Sequence, residues 1–244
     1  MSKSKDPPPR INRFLADCGL GSRRSCETIV TEGRVLINGQ PCLSLATRIR
    51  EQDQVTVDGR ILKRQDKEVT ILLYKPVGCL CSRNDPEGRS TIFELLPPHL
   101  GSQRNIHYAG RLDFNSEGLV ILTNCGELTQ RLAHPSEKTE KEYVVTLSKP
   151  FQEEHAKALI KGMDIPAGFA RATAVEKITK RSIAIVLQQG LKRQIRHMMD
   201  TLGYRVMRLV RVRIGNLTDN SLKPGSWRLL GRRDIASIFN ETKH

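Results

Sequence analysis

The chain of 244 residues carries 40 lysines and arginines against 26 aspartates and glutamates, a formal net charge of +14. This excess favours a polyanionic partner, and nucleic acid is favoured over a membrane because no basic amphipathic helix with exposed aromatics is recognisable. No apolar run reaches the roughly 18 residues of a membrane span, and the polar, proline-rich start differs from a secretory signal. The sequence therefore predicts a cytoplasmic protein that binds nucleic acid and has no membrane association.

The first nine residues differ in composition from those that follow. Residues 1–9 are rich in serine, lysine and proline, and we expect them to be disordered. Apolar side chains then recur at the spacing of an amphipathic helix, at Ile11, Phe14, Leu15 and Cys18. Ser22 has the residue type of a helix N-cap and Gly33 that of a helix end, so a second helix is expected between them.

A small β element is predicted next. Apolar runs and turn dipeptides indicate a strand at residues 35–37, an Asn-Gly turn at 38–39, a returning strand at 41–43 and a last strand at 54–57. Two helices and a hairpin make residues 10–59 a very small domain. The almost wholly polar residues 60–68 have the composition of an interdomain linker.

The predicted small domain is basic. Residues 1–64 hold 12 lysines and arginines against 7 acids, a net charge of +5. Exposed arginines are common on protein surfaces, but their density here favours contacts with the phosphates of structured RNA. The arginines that we assign to RNA binding in this domain are Arg10, Arg13, Arg23, Arg24 and Arg34.

Residues 69–240 are predicted to form a second domain of mixed secondary structure. Strands are indicated at residues 69–74, 119–123, 142–147 and 182–187, and helices at 151–162 and 193–202. The strands outnumber the helices and do not alternate regularly with them, which indicates an α+β class and not a doubly wound sheet. No glycine-rich phosphate loop is recognisable, which argues against an NTPase or a nicotinamide-dependent enzyme.

A second cluster of positive charge lies near the end of this domain. Between Lys192 and Arg213 there are seven lysines and arginines and one acid, a net charge of +6. A fully exposed helix usually carries balancing acids, so this stretch is predicted to face phosphates. The residues assigned to RNA binding here are Lys192, Arg193, Arg208 and Arg211.

One carboxylate is a candidate for chemistry. Asp113 ends the run Gly-Arg-Leu-Asp and precedes the apolar strand that begins at Leu119. Loops that lead into rigid strands often carry catalytic groups, although an isolated Arg-x-Asp is more often a turn with a surface ion pair. The residues alone leave both interpretations open.

Residues 10–39 resemble a small RNA-binding module found in a ribosomal small-subunit protein, in several RNA-modifying enzymes and in a bacterial tyrosyl-tRNA synthetase. The resemblance is carried by R-x-x-x-F-L-A, G-x-x-S-R-R and E-G-R-V-x-I-N-G as they stand in this sequence. It implies contact with structured RNA and specifies no chemistry.

Six further motifs resemble the bacterial ribosomal RNA pseudouridine synthases that carry such a module at the N-terminus. They are K-P-x-G at 75–78, D-P-E-G-R at 85–89, G-R-L-D at 110–113, E-G-L-x-x-L-T-N at 117–124, E-K-E-Y at 140–143 and R-Q-I-R at 193–196. The resemblance extends over residues 10–235. It implies a second domain built on a mixed, mainly antiparallel β-sheet, a monomer that acts on ribosomal RNA, and no cofactor or metal.

The same resemblance implies roles for five residues. Asp113 matches the catalytic aspartate of the family, and Arg196 matches the cation that keeps this acid ionised. Tyr143 matches the tyrosine that stacks on the flipped base. Arg111 matches the arginine beside the aspartate, which is expected to fill the gap that the flipped base leaves, and Leu209 matches an apolar wall.

Two other functions stay open. A non-catalytic RNA-binding factor for ribosome assembly would use the same basic surfaces, with Asp113 only bracing Arg196. A synthase could also act on small-subunit ribosomal RNA, transfer RNA or messenger RNA. Large-subunit (23S) ribosomal RNA is favoured because D-P-E-G-R, T-N-x-G-E-L and R-Q-I-R are more similar to the synthases of that subunit.

The six cysteines show no metal or redox pattern. None of them forms the C-x-x-C pair of a zinc site or a redox dithiol. We expect all six to be reduced and structural, with Cys79 and Cys81 on one face of a strand.

Overall fold

A computed structural model of the chain describes residues 7–63, 68–103, 105–133, 137 and 139–239. These residues fall into two compact units. The first combines the described part of the first 68 residues with Pro98–His107, and the second combines Val69–Pro97 with the described residues from Tyr108 onward. No helix in the described part of the chain is long and apolar enough to cross a membrane.

The elements are named in chain order. The helices are α1 (Ile11–Asp17), α2 (Arg23–Thr31), α3 (Pro98–Gly101), α4 (Gly126–Ala133), α5 (Glu154–Lys161), α6 (Gln194–Thr201) and α7 (Arg232–Ile238). The strands are β1 (Val35–Ile37), β2 (Gln40–Pro41), β3 (Val55–Val57), β4 (Arg60–Ile61), β5 (Thr70–Lys75), β6 (His107–Ala109), β7 (Glu117–Thr123), β8 (Lys141–Leu147), β9 (Met163–Ile165), β10 (Gly168–Ala170), β11 (Ala174–Thr179), β12 (Ser182–Leu187), β13 (Val206–Ile214), β14 (Leu217–Thr218) and β15 (Trp227–Leu229).

In the first unit, α1 and α2 precede a four-stranded sheet of order β2-β1-β3-β4. The predicted stripe of α1 is confirmed, since Ile11, Phe14 and Leu15 are buried in the core of this unit. The cap of α2 is also confirmed, because the Ser25 amide donates a hydrogen bond of 3.1 Å to the Ser22 hydroxyl. Local sequence signals therefore determine both helices.

The sheet of the first unit extends further along the chain than the sequence predicts. Asn38-Gly39 and Asp58-Gly59 all have positive φ, which is the backbone conformation of a tight type I′ hairpin turn. The second of these turns leads into β4, which pairs with β3. Arg60 and Ile61 therefore form a strand and do not begin the linker predicted for 60–68, of which residues 64–67 lie outside the described residues.

The predicted disorder of residues 1–9 does not extend to the prolines at its end. The Ile49 amide donates a hydrogen bond of 2.9 Å to the Pro9 carbonyl, and the Arg48 guanidinium donates one of 2.6 Å to the Pro8 carbonyl. Composition does not reveal these bonds, because they depend on residues that lie 40 positions away in the chain. Residues 1–6 lie outside the described residues.

The second unit is built on a large mixed sheet. Its main path has the order β11-β12-β8-β13-β7-β5-β15, with β14 paired to β13 and β6 paired to β7. The pair of β13 and β7 is parallel, whereas the pairs β11–β12, β12–β8, β8–β13, β13–β14, β7–β5 and β5–β15 are antiparallel. The predicted α+β class with a mixed, mainly antiparallel sheet is confirmed.

Two features of this unit differ from the sequence predictions. Cys79 and Cys81 are both buried free thiols, but they lie in a loop in which Leu80 forms only an isolated bridge to Thr91. The segment Pro98–His107 groups with the first unit and so interrupts the continuous second domain predicted for 69–240. Alternating apolar residues cannot distinguish a loop that is buried by tertiary packing from a strand.

The parallel pair brings two backbones unusually close. Gly118 pairs with Arg211 and has a φ of +111°, and a Cβ atom at this position would overlap the Arg211 backbone. Only glycine meets both requirements without strain. This contact fixes the start of β7 against β13, directly after the turn that carries Asp113.

Candidate active site

Asp113 lies on a tight turn just before β7. Gly110, with a φ of +85°, precedes this turn, and the Ser116 amide closes it with a hydrogen bond of 3.0 Å to the Asp113 carbonyl. The Asp113 side chain is half-buried, and its carboxylate accepts no hydrogen bond from any residue that the structure describes. We name residues 111–116 the Asp113 turn.

Lys75, the last residue of β5, supports the Asp113 turn from the interior. Its side chain is fully buried, and its Nζ donates hydrogen bonds to the carbonyls of Pro76 (2.8 Å), Phe114 (3.3 Å) and Ser116 (2.7 Å). Burial lowers the pKa of Lys75, and nearby acidic groups that include Asp113 oppose this shift. A buried ammonium group is thereby held close to the candidate carboxylate.

The loop after Lys75 contacts the same turn at two further points. The Gly78 amide donates a hydrogen bond of 3.0 Å to the Phe114 carbonyl. The Leu112 amide donates one of 3.4 Å to the sulfur of Cys81, a buried thiol whose pKa burial raises. Backbone and side-chain groups of residues 75–81 thus hold the Asp113 turn at both of its ends.

Arg196, in the first turn of α6, holds the turn from another side. Its Nη2 donates hydrogen bonds of 2.7 Å to the Asn115 carbonyl and 3.5 Å to the Ser116 hydroxyl, and its Nη1 donates one of 3.3 Å to the Val206 carbonyl. Its Nε is buried and has no hydrogen-bond partner among the described residues. The guanidinium therefore bridges the Asp113 turn and the start of β13.

The relation between Arg196 and Asp113 is electrostatic and not a direct contact. Burial lowers the pKa of Arg196, and the Asp113 charge opposes this shift. No ion pair within 4 Å links these two residues, both of which the structure describes. Arg196 thus lies near Asp113, while its hydrogen bonds go to the Asn115 carbonyl, the Ser116 hydroxyl and the Val206 carbonyl.

Tyr143 and Leu209 share one face of the sheet. Tyr143 on β8 pairs with Arg211 on β13, and Leu209 pairs with Val145. Directly paired residues in adjacent strands point to the same side, so Tyr143, Leu209 and Arg211 form one row. All three are buried, with exposed fractions of 9%, 6% and 2%.

The prediction that Arg211 contacts phosphate at the surface is not matched by its position. Its Nε donates a hydrogen bond of 2.6 Å to the Leu119 carbonyl, and its Nη2 is buried with no hydrogen-bond partner among the described residues. Alternation along β13 turns this side chain to the same face as Leu209, where it meets the backbone of β7. Charge counting along the chain misses this because it ignores the alternation of a strand.

Arg208 is a surface cation with a fixed orientation. Its Nε and Nη2 donate hydrogen bonds of 2.6 and 3.2 Å to the two carboxylate oxygens of Glu117. Glu117 is buried and also accepts a bond of 3.4 Å from the Tyr74 hydroxyl, whereas 59% of the Arg208 side chain is exposed. The hydrogen bond to Glu117 raises the pKa of Arg208, so this guanidinium stays charged and held in place.

A cleft of about 520 Å³ opens beside the Asp113 turn. It brings together four of the predicted site residues, Arg193, Arg196, Arg208 and Leu209. Asn115 and Glu117, which flank the end of the turn, also line it. Asp113, Tyr143 and Arg111 are not among its lining residues, and Arg111 and Lys192 are exposed. The volume lies in the range of ligand pockets, and the lining suits an anion.

The predicted RNA-binding arginines of the first unit are all exposed, at Arg10, Arg13, Arg23, Arg24 and Arg34. Arg23 and Arg24 occupy the first turn of α2. Arg34 is already paired, since its guanidinium donates hydrogen bonds to Asp58 and Glu32, and these bonds raise its pKa. The first unit therefore offers cations with and without a protein partner.

Sequence reasoning missed two residues that hold the site. Lys75 and Glu117 lie inside the quoted motifs K-P-x-G and E-G-L-x-x-L-T-N, but neither was assigned a role. A charged residue at the end or start of an apolar strand was the available signal, because such a residue is buried only when it is paired. In the described part of the chain, no group of three or more His, Cys, Asp or Glu is arranged to hold a metal ion.

This arrangement can support nucleophilic or general-base chemistry. A half-buried carboxylate with unengaged acceptor atoms lies on a turn fixed by Lys75 and Arg196. A carboxylate of this kind can attack an electrophilic carbon or remove a proton from it. The adjacent cationic cleft favours a substrate with phosphate groups.

Two family models match the chain. The family model described as RNA pseudouridylate synthase matches residues 69–201, and the model described as S4 domain matches residues 9–55. The first match contains Asp113, Tyr143 and Arg196. The second contains the five exposed arginines of the first unit that are predicted to bind RNA.

Several curated relatives are similar over nearly the whole chain. An uncharacterized RNA pseudouridine synthase of Aquifex aeolicus is 35% identical, with 94% of this chain and 93% of that protein covered. The ribosomal large subunit pseudouridine synthase B of Vibrio cholerae is 37% identical, with 93% and 73% covered. The dual-specificity RNA pseudouridine synthase RluF of Escherichia coli is 32% identical, with 96% and 79% covered.

A solved structure agrees with the fold. The crystal structure of a pseudouridylate synthase has a TM-score of 0.68 and 28% identity to this chain, and the alignment covers 94% of this chain and 99% of that one. The sequence motifs, the held Asp113 turn and these similarities lead to the same assignment. The chain belongs to the RNA pseudouridylate synthase family, a family of isomerases, and carries an S4 domain in its N-terminal part.

Proposed function

We propose that this protein converts one uridine of large-subunit (23S) ribosomal RNA to pseudouridine, with Asp113 as the reacting carboxylate. The observation that carries the proposal is the Asp113 turn itself, whose acid is half-buried and unengaged by the described residues while Lys75 and Arg196 fix its backbone. The choice of large-subunit RNA is supported by the relative from Vibrio cholerae, which is named for that activity.

The proposed reaction is an isomerisation without a net change in atoms. The bond between C1′ and N1 breaks, the uracil turns, and C1′ forms a bond to C5. The C5 proton is lost and N1 gains one, so the product is an isomer of uridine. Asp113 either adds to C1′ or removes the 2′ proton to give a glycal, and both routes start from the ionised carboxylate.

The other site residues assist by position and charge. Arg196 places a positive charge near the Asp113 carboxylate. Tyr143 stacks on the flipped uracil, a contact worth roughly 1–3 kcal/mol per base, which offsets much of the unstacking cost. Leu209 forms an apolar wall beside it, and the exposed Arg111 fills the gap that the flipped base leaves in the RNA.

Two basic surfaces bind the remainder of the RNA. In the first unit, Arg10, Arg13, Arg23, Arg24 and Arg34 contact phosphates of structured RNA. In the second, Lys192, Arg193 and Arg208 contact phosphates near the target uridine. Action as a monomer in the cytoplasm, the start of the catalytic domain at residue 69, and a reaction without cofactor or metal stay predictions.

The test compares the wild-type enzyme with Asp113→Asn on unmodified 23S ribosomal RNA and on transfer RNA. We expect pseudouridine to form in the 23S transcript with wild type and to form at least about 10³-fold more slowly with Asp113→Asn, since removal of a reacting group commonly costs that much. Asp164→Asn, at an exposed position on β9, is the control and should retain the wild-type rate.

Each alternative has its own outcome. A wild-type rate for Asp113→Asn would show that Asp113 is not the reacting acid. Tight RNA binding without conversion by the wild-type protein would favour a ribosome-assembly factor. Conversion of transfer RNA in preference to the 23S transcript would correct the substrate; transfer RNA is included because the sequence leaves it open as an alternative.

A further inference from the structure

Met207 is an exposed apolar residue at an unusual point of the sheet. On β13, Val206 pairs with Leu147 and Arg208 pairs with Thr146, so Met207 is the extra residue of a β-bulge. Bulges re-aim side chains and are common beside active sites. Here 61% of Met207 is exposed, and its side chain lines the cleft beside the Asp113 turn.

Val77 is a second exposed apolar residue in the same cleft, with 54% of its surface accessible. Both of its neighbours are held close to the Asp113 turn. The Pro76 carbonyl accepts a hydrogen bond from Lys75, and the Gly78 amide donates one to the Phe114 carbonyl. Val77 is therefore presented in a fixed position and not on a free loop.

The surroundings of these two residues are cationic. Four arginines line the cleft, at positions 193, 196, 205 and 208, against the acids Glu117 and Asp200. Glu117 is already engaged by Arg208. A pair of exposed apolar side chains among arginines matches a ligand that combines a flat apolar face with phosphates, which is the chemistry of an unpaired nucleotide.

We propose that Met207 and Val77 form an apolar subsite for an unpaired base next to the target uridine, and that Arg205 and Arg193 hold the phosphates beside it. This inference rests on the proposed function. The base lies against the thioether and methyl groups, a contact in which methionine sulfur is favourable. The subsite makes the enzyme select a uridine by the single-stranded character of its neighbour.

The test is a mutant cycle between protein and RNA. The substrates are three versions of a 23S ribosomal RNA fragment that contains the converted uridine. One is intact, one has an abasic nucleotide directly 5′ of that uridine, and one has an abasic nucleotide directly 3′ of it. We expect Met207→Ala to raise KM on the intact fragment by about 2- to 10-fold, with kcat within twofold of wild type. For the wild-type enzyme, one of the two abasic substrates should raise KM by about the same factor as Met207→Ala does on intact RNA. On that abasic substrate, the KM of Met207→Ala should equal the KM of the wild type.

The controls separate recognition from packing. Met207→Leu, which keeps an apolar side chain but loses the sulfur, should raise KM less than Met207→Ala, and Ile178→Ala, at an exposed apolar position on β11, should change neither constant. Thermal unfolding of the Met207 variants should match that of wild type. Val77→Ser should also raise KM on the intact fragment. On the abasic substrate that raises the wild-type KM, it should cause no further increase in KM.

Two results would overturn the inference while leaving the proposed function intact. One is conversion by Met207→Ala with unchanged KM on the intact fragment. The other is an increase in KM that is equal on intact and abasic RNA, which would indicate packing or a contact with something other than a base. Absence of pseudouridine formation by the wild-type enzyme would overturn both the subsite and the proposed function.

Discussion

The cations of the first unit and those around the Asp113 turn differ in what holds them. Arg23 and Arg24 are exposed at the start of α2 and form no ion pair with any residue that the structure describes. Lys75 and Arg196 each donate hydrogen bonds to carbonyls of the Asp113 turn, and Arg208 is held by Glu117. Among the described residues, positive charge is therefore unpaired at the start of α2 and held by hydrogen bonds around the Asp113 turn.

This difference indicates two uses of positive charge. An exposed arginine without a protein partner can follow the phosphates of many RNA shapes, so its contribution is to affinity. A cation whose hydrogen-bond donors are bound to the carbonyls of a turn is less available to phosphates, so we expect it to contribute mainly to the position of the acid. Substitutions in the two regions should therefore change different measured quantities.

The largest effect is expected for Gly118→Ala, which tests the backbone contact that positions the Asp113 turn. The added Cβ would overlap the Arg211 backbone, and φ is +111°, so we expect a loss of at least about 3 kcal/mol in the free energy of unfolding. Denaturant unfolding of the full chain measures this loss. Hydrogen exchange should show that the amides of α1 and α2 keep their protection.

Gly168→Ala is the matched control for Gly118→Ala. Its φ is +114°, yet a Cβ there would meet no atom within 4 Å. This variant carries the backbone strain without the overlap, so a loss of about 1–2 kcal/mol is expected. Equal losses in the two variants would show that the close approach of β7 and β13 contributes nothing beyond backbone strain.

The next largest effect is expected for Lys75→Met, which removes a fixed cation. Three carbonyls lose the Lys75 donor, of which Phe114 keeps a second one, the Gly78 amide, and displacement of a reacting group by roughly 1 Å can cost about 10²-fold in rate. We expect kcat to fall by about this factor with little change in KM, as measured by steady-state conversion of 23S ribosomal RNA. Lys161→Met, at an exposed position in α5, should leave kcat unchanged; a lower kcat in both variants would refute a specific role for Lys75.

A smaller and different effect is expected in the first unit. The double variant Arg23→Ala with Arg24→Ala should weaken RNA binding by about 3- to 10-fold at moderate salt and lower the salt-dependence slope by about 2. Its kcat at saturating RNA should equal that of wild type. Filter binding over a salt series measures both the affinity and the slope.

Arg34→Ala is the comparison for that double variant. Because Arg34 is paired with Asp58 and Glu32, its removal should change the slope by less than the removal of one unpaired arginine. If Arg34→Ala weakened binding as much as the double variant, pairing would not be what separates the two classes of cation.

The smallest effect concerns acid stability in the second unit. The bonds from Arg89 lower the pKa of Asp85 to about 2. A carboxyl whose pKa is lower in the folded state stabilises the fold above its unfolded pKa of about 3.9 and loses this contribution as the pH falls towards 2. Asp85→Asn should lower stability at pH 7 and flatten the decline between pH 4 and pH 2, as followed by thermal unfolding. An unchanged decline would show that this pair adds no acid sensitivity.

The parts of the fold set by local signals could be predicted from the sequence. Ser22 at the start of α2, the Asn38-Gly39 turn and the apolar strands at 119–123 and 182–187 each have a residue pattern with a direct physical meaning. The class of the second unit followed from the irregular order of strands and helices. Two sequence predictions were wrong: β4 was assigned to a linker, and the loop that contains Cys79 and Cys81 was assigned to a strand. Both structures depend on contacts with other parts of the chain.

The sequence named residues of the candidate site but did not predict the contacts between them. The motifs identified Asp113, Tyr143 and Arg196 as candidate site residues, but no sequence pattern revealed that Arg196 donates a hydrogen bond to the Asn115 carbonyl. Charge counting also assigned Arg211 to RNA, whereas pairing with the parallel strand β7 buries it. Burial and hydrogen-bond geometry arise from tertiary packing and are not encoded in spacing along the chain.

The most direct test of the central claim is a map of pseudouridines in 23S ribosomal RNA from cells that lack the gene for this protein. Complementation with the wild-type gene and with Asp113→Asn gives the comparison, and immunoblotting confirms equal amounts of both proteins. The account predicts one pseudouridine that is absent without the gene, restored by the wild type and still absent with Asp113→Asn. Restoration by Asp113→Asn, or an unchanged map without the gene, would contradict it.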